Sequence, residues 1–483
     1  MTLRAPGDIL LVSCYEPGYQ PIAIASPAAF LRAAGYTPLA IDLAVEELDE
    51  PRLERLARAR LVAISAPMHT AMSLGLRVAR RLRAINAQAH VCFFGLYAAL
   101  NRTLLQRPVD DGGGARPLAD TIFGGECEED LVALAQRLEA GASPVAAEAE
   151  AHPLHRLPFL LPDRTGLPAL DRYARLLVDD ERRVAGHVET TRGCKYLCRH
   201  CPIPPVYHGR FFAVPIDIVL EDARRQIAAG ARHITFGDPD FLNGPKHALA
   251  AARGLHAAHP DVTFSFTTKV EHIVAEREIF PELAAKGCVF VVSAVESLSD
   301  EILALLDKGH TRADVSLALS IARSAGISLR PTFVAFTPFT SIADYLALCR
   351  FIRDNDLEQE VDPIQLAIRL LIPPGSLLLE RAELAPHLLG LDEEGLTYRW
   401  RHPDPRMDVL EAEVSALVEQ ATHDGEPPHA TFARIHALVA RAAGEPAPPV
   451  SLKRRRPAPP RLSESWFCCA QPTKIQVGKT QKV

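Results

Sequence analysis

The chain has 483 residues, enough for about three domains, and its 48% apolar and 23% charged content excludes a wholly disordered or collagen-like chain. With 53 basic and 59 acidic residues the net charge is −6, so there is no global basic excess for a polyanion and nucleic acid is not expected as a partner. No apolar stretch reaches the roughly 20 residues that span a bilayer, and the apolar run at 9–12 is too short for a signal-peptide core, so no membrane partner and a cytoplasmic location are expected.

Residues 1–140 alternate short apolar strands (9–13, 37–43, 61–66, 90–96 and 121–125) with helices (24–35, 51–59 and 74–85). This pattern predicts an α/β domain with a doubly wound parallel sheet, which takes ligands at the carboxyl ends of its strands. Residues 141–184, with Pro153, Pro158, Pro162 and Pro168, read as a connector. A second alternating series covers 185–375, with strands at 187–190, 233–238, 263–268, 288–295, 327–336 and 363–372 and helices at 215–230, 245–258, 275–286, 311–325 and 341–355. Six βα units at near-regular spacing predict a partial (βα)6 barrel with its site at the carboxyl face. Residues 376–445 read as a helical region. Residues 446–483 read as a Pro-rich linker and a tail, with eight bases and one acid from Lys453 onward.

Ten cysteines are too sparse for a disulfide scaffold. Cys14, Cys92, Cys127, Cys288 and Cys349 are scattered among apolar neighbours, as small core residues are. Cys194, Cys198 and Cys201 stand apart, in the order C-x-x-x-C-x-x-C within Thr-Thr-Arg-Gly-Cys-Lys-Tyr-Leu-Cys-Arg-His-Cys-Pro, on the loop after the first strand of the second series. Three thiolates on one loop can hold three irons of a four-iron, four-sulfur (4Fe-4S) cluster and leave the fourth iron open to a small molecule. The alternatives are accidental clustering or a zinc site, with His200 and His208 nearby. Zinc sites usually arrange their ligands as two separated pairs, and no second cysteine pair follows at a suitable distance.

This loop resembles the signature of the radical S-adenosylmethionine (radical SAM) superfamily, and the resemblance covers about 185–375. It implies that Cys194, Cys198 and Cys201 ligate the cluster, that the open iron chelates S-adenosyl-L-methionine, and that one electron from a donor such as flavodoxin or ferredoxin cleaves the sulfonium to give a carbon radical that acts on a small-molecule substrate. It places His200 against the adenine and Asp238 or Asp240 at the methionine amino group, although the family's Gly-Gly-Glu form is absent; an Asp-Pro turn capping the next helix is the plain alternative. It likewise places Ser293 and Glu296 at the ribose, where helix capping is again the alternative. Arg330 and Arg369, charges within apolar strands, would hold the methionine carboxylate or a substrate acid.

The βα pattern of 5–140, ending in Gly124-Gly125-Glu126-Cys127-Glu128-Glu129, resembles the cobalamin-binding domain of one branch of that superfamily. No D-x-H-x-x-G motif is present to supply an axial histidine; His69 follows a strand and is more simply a loop histidine. The ending Trp466-Phe467-Cys468-Cys469-Ala470-Gln471-Pro472 resembles a group of radical SAM proteins with a Cys-Cys-Ala-Glu-Pro tail, with Gln471 in place of glutamate. That resemblance implies a working role for Cys468 and Cys469, as a nucleophile or as soft ligands for a thiophilic atom such as trivalent arsenic; two idle cysteines are the plain alternative. The expected function is a radical SAM enzyme, with methyl transfer if cobalamin binds. Its rivals are a methylthiotransferase, which needs a second cysteine cluster that Cys14 and Cys92 are too far apart to suggest, and a non-catalytic iron–sulfur or cobalamin sensor.

Overall fold

Five short apolar runs build the first sheet of the computed structural model, which describes residues 2–109, 116–141, 154, 156–178, 180–446, 448 and 458–464. β1 (Ile9–Ser13), β2 (Leu39–Asp42), β3 (Leu61–Ser65), β4 (His90–Phe94) and β5 (Thr121–Phe123) are all parallel, in the order β2-β1-β3-β4-β5. β1, β3 and β4 are buried at every residue because helices cover both faces. Ile9 and Leu11 pack with α1 (Ile22–Ala33) and α4 (Glu128–Glu139), while Leu10 and Val12 share a cluster with α2 (Glu50–Arg58) and α3 (His69–Ile85). The doubly wound sheet is as expected, with its order reversing between β1 and β3, the kind of crevice in which such sheets take ligands.

The second sheet is larger and mixed. β7 (Glu181–Val188), β8 (His233–Phe236), β9 (Thr263–Thr267), β10 (Cys288–Glu296) and β11 (Ser328–Phe333) run parallel, and the antiparallel β6 (Arg175–Val178) extends the sheet beyond β7. α5 (Ile216–Ala228), α6 (Pro245–Ala258), α7 (Asp300–Leu306), α8 (Arg312–Ser324) and α9 (Ile342–Asp354) lie along its connections. The last two helices are started by capping boxes, Thr311 with Asp314 and Ser341 with Asp344. The edge of the sheet is finished by β12 (Arg461–Leu462), which pairs antiparallel with β6. α10 (Pro405–His423) and α11 (Pro428–Ala442) form the helical region. Among the described residues no helix is long and apolar enough to cross a membrane.

Four expectations change. The 376–445 region, expected as helical, contains an antiparallel pair, Leu388–Asp392 with Thr397–Trp400, ahead of α10 and α11. The 141–184 connector contains β6 and the start of β7. The 363–372 segment, expected as a sixth strand, is a 3-10 turn (Pro363–Leu366) followed by a single bridge between Arg369 and Phe336. Gln365 Oε1 accepts the Phe333 amide at 3.2 Å, so a side chain satisfies a backbone donor that a strand would otherwise take. The helix expected at 275–286 is divided into Val270–Ala275 and Phe280–Ala285, with Pro281 in the first turn of the second piece.

Candidate functional site

The cysteine loop leaves the carboxyl end of β7 and is tied down on several sides. Thr190 donates its amide to Asp238 Oδ1 at 2.6 Å and its hydroxyl to Oδ2, and Thr191 Oγ1 donates to the same oxygen at 2.9 Å. The short strand Thr191–Gly193 then pairs with Phe211–Ala213. Gly193 has φ +77°, and a Cβ there would lie 2.4 Å from Tyr207 Cδ1 and 2.5 Å from the Arg210 carbonyl oxygen, so the residue before Cys194 has to be glycine. Farther along, the Arg199 guanidinium donates to the Ala304 and Leu305 carbonyls at the end of α7, and its own carbonyl accepts from Ser376 Oγ at 2.9 Å.

Cys198 is buried, and Cys194 and Cys201 are half-buried. Burial, with Asp240 adding to it, pushes the Cys194 thiol up to about 12. Burial also raises Cys198, opposed by Lys308 and Lys269. The three thiols are close enough to influence one another. Yet among the described residues no three Cys, His, Asp or Glu side chains converge on a single point as one metal ion requires. Three thiols on one loop are the soft donor set that an iron–sulfur cluster takes.

The expected acceptors at the end of β8 are already occupied. Burial pushes Asp238 up to about 7 despite the threonine donors. Asp240 Oδ1 accepts from Thr268 Oγ1 at 2.6 Å, and its Oδ2 lies 2.8 Å from His272 Nδ1. His272 Nε2 in turn meets the Tyr196 hydroxyl at 2.8 Å, and Lys269 Nζ sits 3.3 Å over the Tyr196 ring. Both aspartates therefore hold the cysteine loop, Asp238 at its start and Asp240 through His272 and Tyr196 at its middle.

The end of β10 brings together His200, Glu296 and Lys308. Glu296 Oε1 lies 3.2 Å from His200 Nε2 and 3.2 Å from Lys308 Nζ. Burial alone would raise the Glu296 carboxyl, but Lys308 and His200 outweigh it and hold the group down at about 2. Glu296 has φ +68°, an uncommon conformation for a non-glycine residue, at a register shift in the strand. His200 is 2% exposed and its Nδ1 has no protein partner. A buried orphan nitrogen, an ionised acceptor and a lysine beside Cys198 fit a ligand that carries both charged and neutral polar groups, as S-adenosylmethionine does. Ser293 is not brought to this group. It alternates with Phe290 and Val292, which line the barrel cavity, and so shares the opposite face with Val291 and Val295, which pack in the core.

Arg330 faces the barrel interior, in a cavity that it lines with Thr332, Asp362, Tyr19, Arg461 and Glu464. Its Nη2 is 3.2 Å from Asp362 Oδ1, and its Nη1 is buried without a partner. Arg369 turns to the helical region instead, 3.0 Å from Asp408 and stacked on Trp400.

A second cavity lies between the two domains. Its first-domain wall comes from the carboxyl ends of the strands (Pro67, Gly95, Glu126, Glu128), and its barrel wall includes Arg192 and Tyr207. Gly95, at φ +103°, would with a Cβ meet the Ala66 backbone at 3.1 Å, and its bare backbone leaves the end of β4 open. His69 is not in this lining; it is buried, with Nε2 2.8 Å from the Gly395 carbonyl oxygen. Sequence reasoning missed Arg192, Tyr196, Tyr207, Lys269 and His272. Arg192 stands two residues before the first cysteine and Tyr196 between the first two, and a charge and an aromatic so placed were available signals. Cys468 and Cys469 lie outside the described residues.

Comparison with known proteins agrees with this geometry. Residues 188–352 match the family described as the Radical SAM superfamily. This segment is a radical SAM domain. The chain is 25% identical over 244 residues to a putative methylthiotransferase of Methanocaldococcus jannaschii, covering 47% of this chain and 50% of that protein. It is also 25% identical over 243 residues to an uncharacterized methyltransferase of Pyrococcus horikoshii, covering 49% and 50%. The chain thus spans about half the length of these curated relatives. Two solved structures share the fold: the cobalamin-dependent S-adenosylmethionine radical enzyme OxsB (TM-score 0.67, 14% identity, 86% of this chain and 67% of that one) and the radical S-adenosylmethionine methyltransferase TsrM of Kitasatospora setae with cobalamin and a 4Fe-4S cluster bound (0.56, 17%, 74% of each). The radical SAM match ends before the Cys-Cys tail, so the tail resemblance gains no support from it. The names of these relatives, a putative methylthiotransferase and an uncharacterized methyltransferase, leave the reaction type open.

Proposed function

We propose that this protein is a radical SAM enzyme of the methyl-transfer type, with cobalamin held between its two domains, acting on a small molecule. The observation that carries the reading is the interdomain cavity, which has the strand ends of a doubly wound sheet on one side and the cysteine loop on the other. The chain would hold cobalamin through Glu126, Glu128, Tyr207 and the bare backbone at Gly95 and Gly125. When bound, the cluster supplies an electron to the sulfonium and cobalamin supplies a methyl carrier. Cys194, Cys198 and Cys201 would hold the cluster, His200, Glu296 and Lys308 would orient S-adenosylmethionine beside it, and Arg330 would anchor an acidic group of the substrate in the barrel cavity. An external low-potential donor such as flavodoxin or ferredoxin would deliver the electron.

The methylthiotransferase rival needs further exposed thiols. Cys14, Cys92 and Cys127 are each fully shielded, and burial drives all three thiols up, so they act as core residues. Anaerobic reconstitution with iron, sulfide and hydroxocobalamin, followed by reduction in the presence of S-adenosylmethionine, tests the reading. The expected result is one corrinoid per chain in the absorption spectrum and release of a cleavage product. Corrinoid-free protein would overturn the cobalamin assignment, and cluster-loaded protein yielding no cleavage product would favour a sensor.

A second reading concerns Cys468 and Cys469. It is favoured by β12, which docks the C-terminal segment on β6 so that Arg461 and Glu464 line the barrel cavity, with the two thiols following four and five residues after Glu464. In this reading the thiols hold a thiophilic substrate at the barrel. A Cys468→Ser/Cys469→Ser variant that forms product unchanged would remove it.

A further inference from the structure

The interdomain cavity and the cysteine loop meet at one side chain. Arg192 stands two residues before Cys194, and its guanidinium is engaged on every edge: Nη1 lies 2.9 Å from Glu126 and 2.5 Å from Glu128, Nε 2.8 Å from Glu189, and Nη2 3.0 Å from Ser26. Three of these partners belong to the first domain and one to the barrel. Glu126 uses its other oxygen to accept from the Tyr207 hydroxyl at 2.7 Å, and Tyr207 fills the space against Gly193 that a Cβ would need. Glu128 also takes Ser26 Oγ at 2.6 Å and the Cys127 amide at 3.1 Å. Each carboxylate of this set is a wall of the cavity, and each reaches residue 192 or 193 through one or two contacts.

The balance of charge is uneven, with three carboxylates around one guanidinium. Desolvation raises Glu126 even with Arg192 beside it, whereas at Glu128 burial is outweighed by Arg192 and Ser26 and the group is lowered. Carboxylates in excess of their cation have lone pairs left over for donors that enter the cavity. A ligand rich in amide N–H groups would take those oxygens and alter how firmly they hold Arg192.

We infer that Arg192 is a positioning residue that makes the cluster loop sense what fills the interdomain cavity, by sharing Glu126 and Glu128 with the occupant. The inference rests on the cobalamin reading above. Its physical basis is that a side chain held by several short charge-assisted bonds fixes the backbone that carries it, and here that backbone is the two-residue lead into Cys194.

The test uses the full chain, reconstituted without oxygen, with hydroxocobalamin as the probe. In the wild type, adding hydroxocobalamin should shift the electron paramagnetic resonance spectrum of the reduced cluster and slow hydrogen–deuterium exchange across 189–194. In Glu126→Gln, which keeps the side-chain shape but gives up one of the carboxylates that would meet the corrinoid, uptake should weaken, and at saturating hydroxocobalamin the spectral shift should still be lost. Arg192→Lys, which keeps the charge without the fork of donors, should restore only part of it. If Glu126→Gln does not fold, Tyr207→Phe removes a single bond to the same carboxylate and should reduce the shift. A variant that binds corrinoid and shows the full wild-type shift would overturn the inference and leave the cobalamin reading standing, as would a wild type that binds corrinoid with no shift. A wild type that takes up no corrinoid would overturn both.

Discussion

Two buried carboxylate groups flank the cysteine loop, and they are built on opposite charge ratios. At the end of β10 one carboxylate, Glu296, faces Lys308 and His200. Between the domains three carboxylates, Glu126, Glu128 and Glu189, share Arg192. In the first group the acid is the scarce partner, so it stays ionised and its loss takes a carboxylate away from a buried lysine. In the second the cation is scarce, so any one acid is replaceable and the set keeps acceptors in hand for something else. A buried ion cluster thus tells different things depending on which sign is in deficit: the first is shaped around its own members, the second toward a guest.

The largest break in the comparison removes what both groups serve. Cys198→Ala should abolish iron loading and S-adenosylmethionine cleavage, read by metal analysis and product assay, because a cube loses a corner ligand. Next in size is the direct contrast between the two groups. Glu296→Gln leaves Lys308 without its carboxylate and should cost about 3–5 kcal/mol in chemical denaturation, whereas Glu126→Gln should cost about 1 kcal/mol or less, since Arg192 keeps two other acids. Equal losses would show that the charge ratio does not matter. Gly193→Ala falls between these in stability, at roughly 1–2 kcal/mol for the left-handed backbone before the contact with Tyr207 is counted, and should lower cluster occupancy by displacing Cys194.

The pH dependence sharpens the same contrast. Glu296 sits at about 2 against an ordinary 4.5, so its contribution is present above 4.5 and is lost as pH falls toward 2. Asp238 sits at about 7 against 3.8, so the folded state holds its proton, and that contribution is full below 3.8 and lost as pH rises through 7. Asp238→Asn should flatten the fall in stability between about pH 4 and 7, and an unchanged profile in equilibrium unfolding would contradict the assignment. A similarly small effect is expected of Thr268→Val, about 1 kcal/mol, because Asp240 keeps His272 when it loses one hydroxyl.

Much of this was legible in the chain. Apolar runs such as Ile-Leu-Leu-Val-Ser and the thiol spacing at Cys194, Cys198 and Cys201 are local signals, and they led to the sheet, the barrel and the loop. What escaped depends on partners distant in sequence or on which way a strand faces. β6 is four residues long and pairs with a strand nearly three hundred residues later. Ser293 looked like a site residue by its place near a strand end, but the two-residue alternation turns it to the helix side. Asp238 and Asp240 were read as open acceptors, and only the fold shows that threonines from two neighbouring segments already fill them. Arg192 gave no periodic signal at all, since its meaning comes from three glutamates, two of them in the other domain.

The two-residue strand at Arg461–Leu462 also has a bearing on solubility. It covers the outer rim of β6, the flank on which the large sheet would otherwise present unpaired backbone donors and acceptors. Bare rims of that kind invite a second molecule to add a strand. A protein cut short before residue 458 would therefore keep its barrel and gain a tendency to self-associate with concentration.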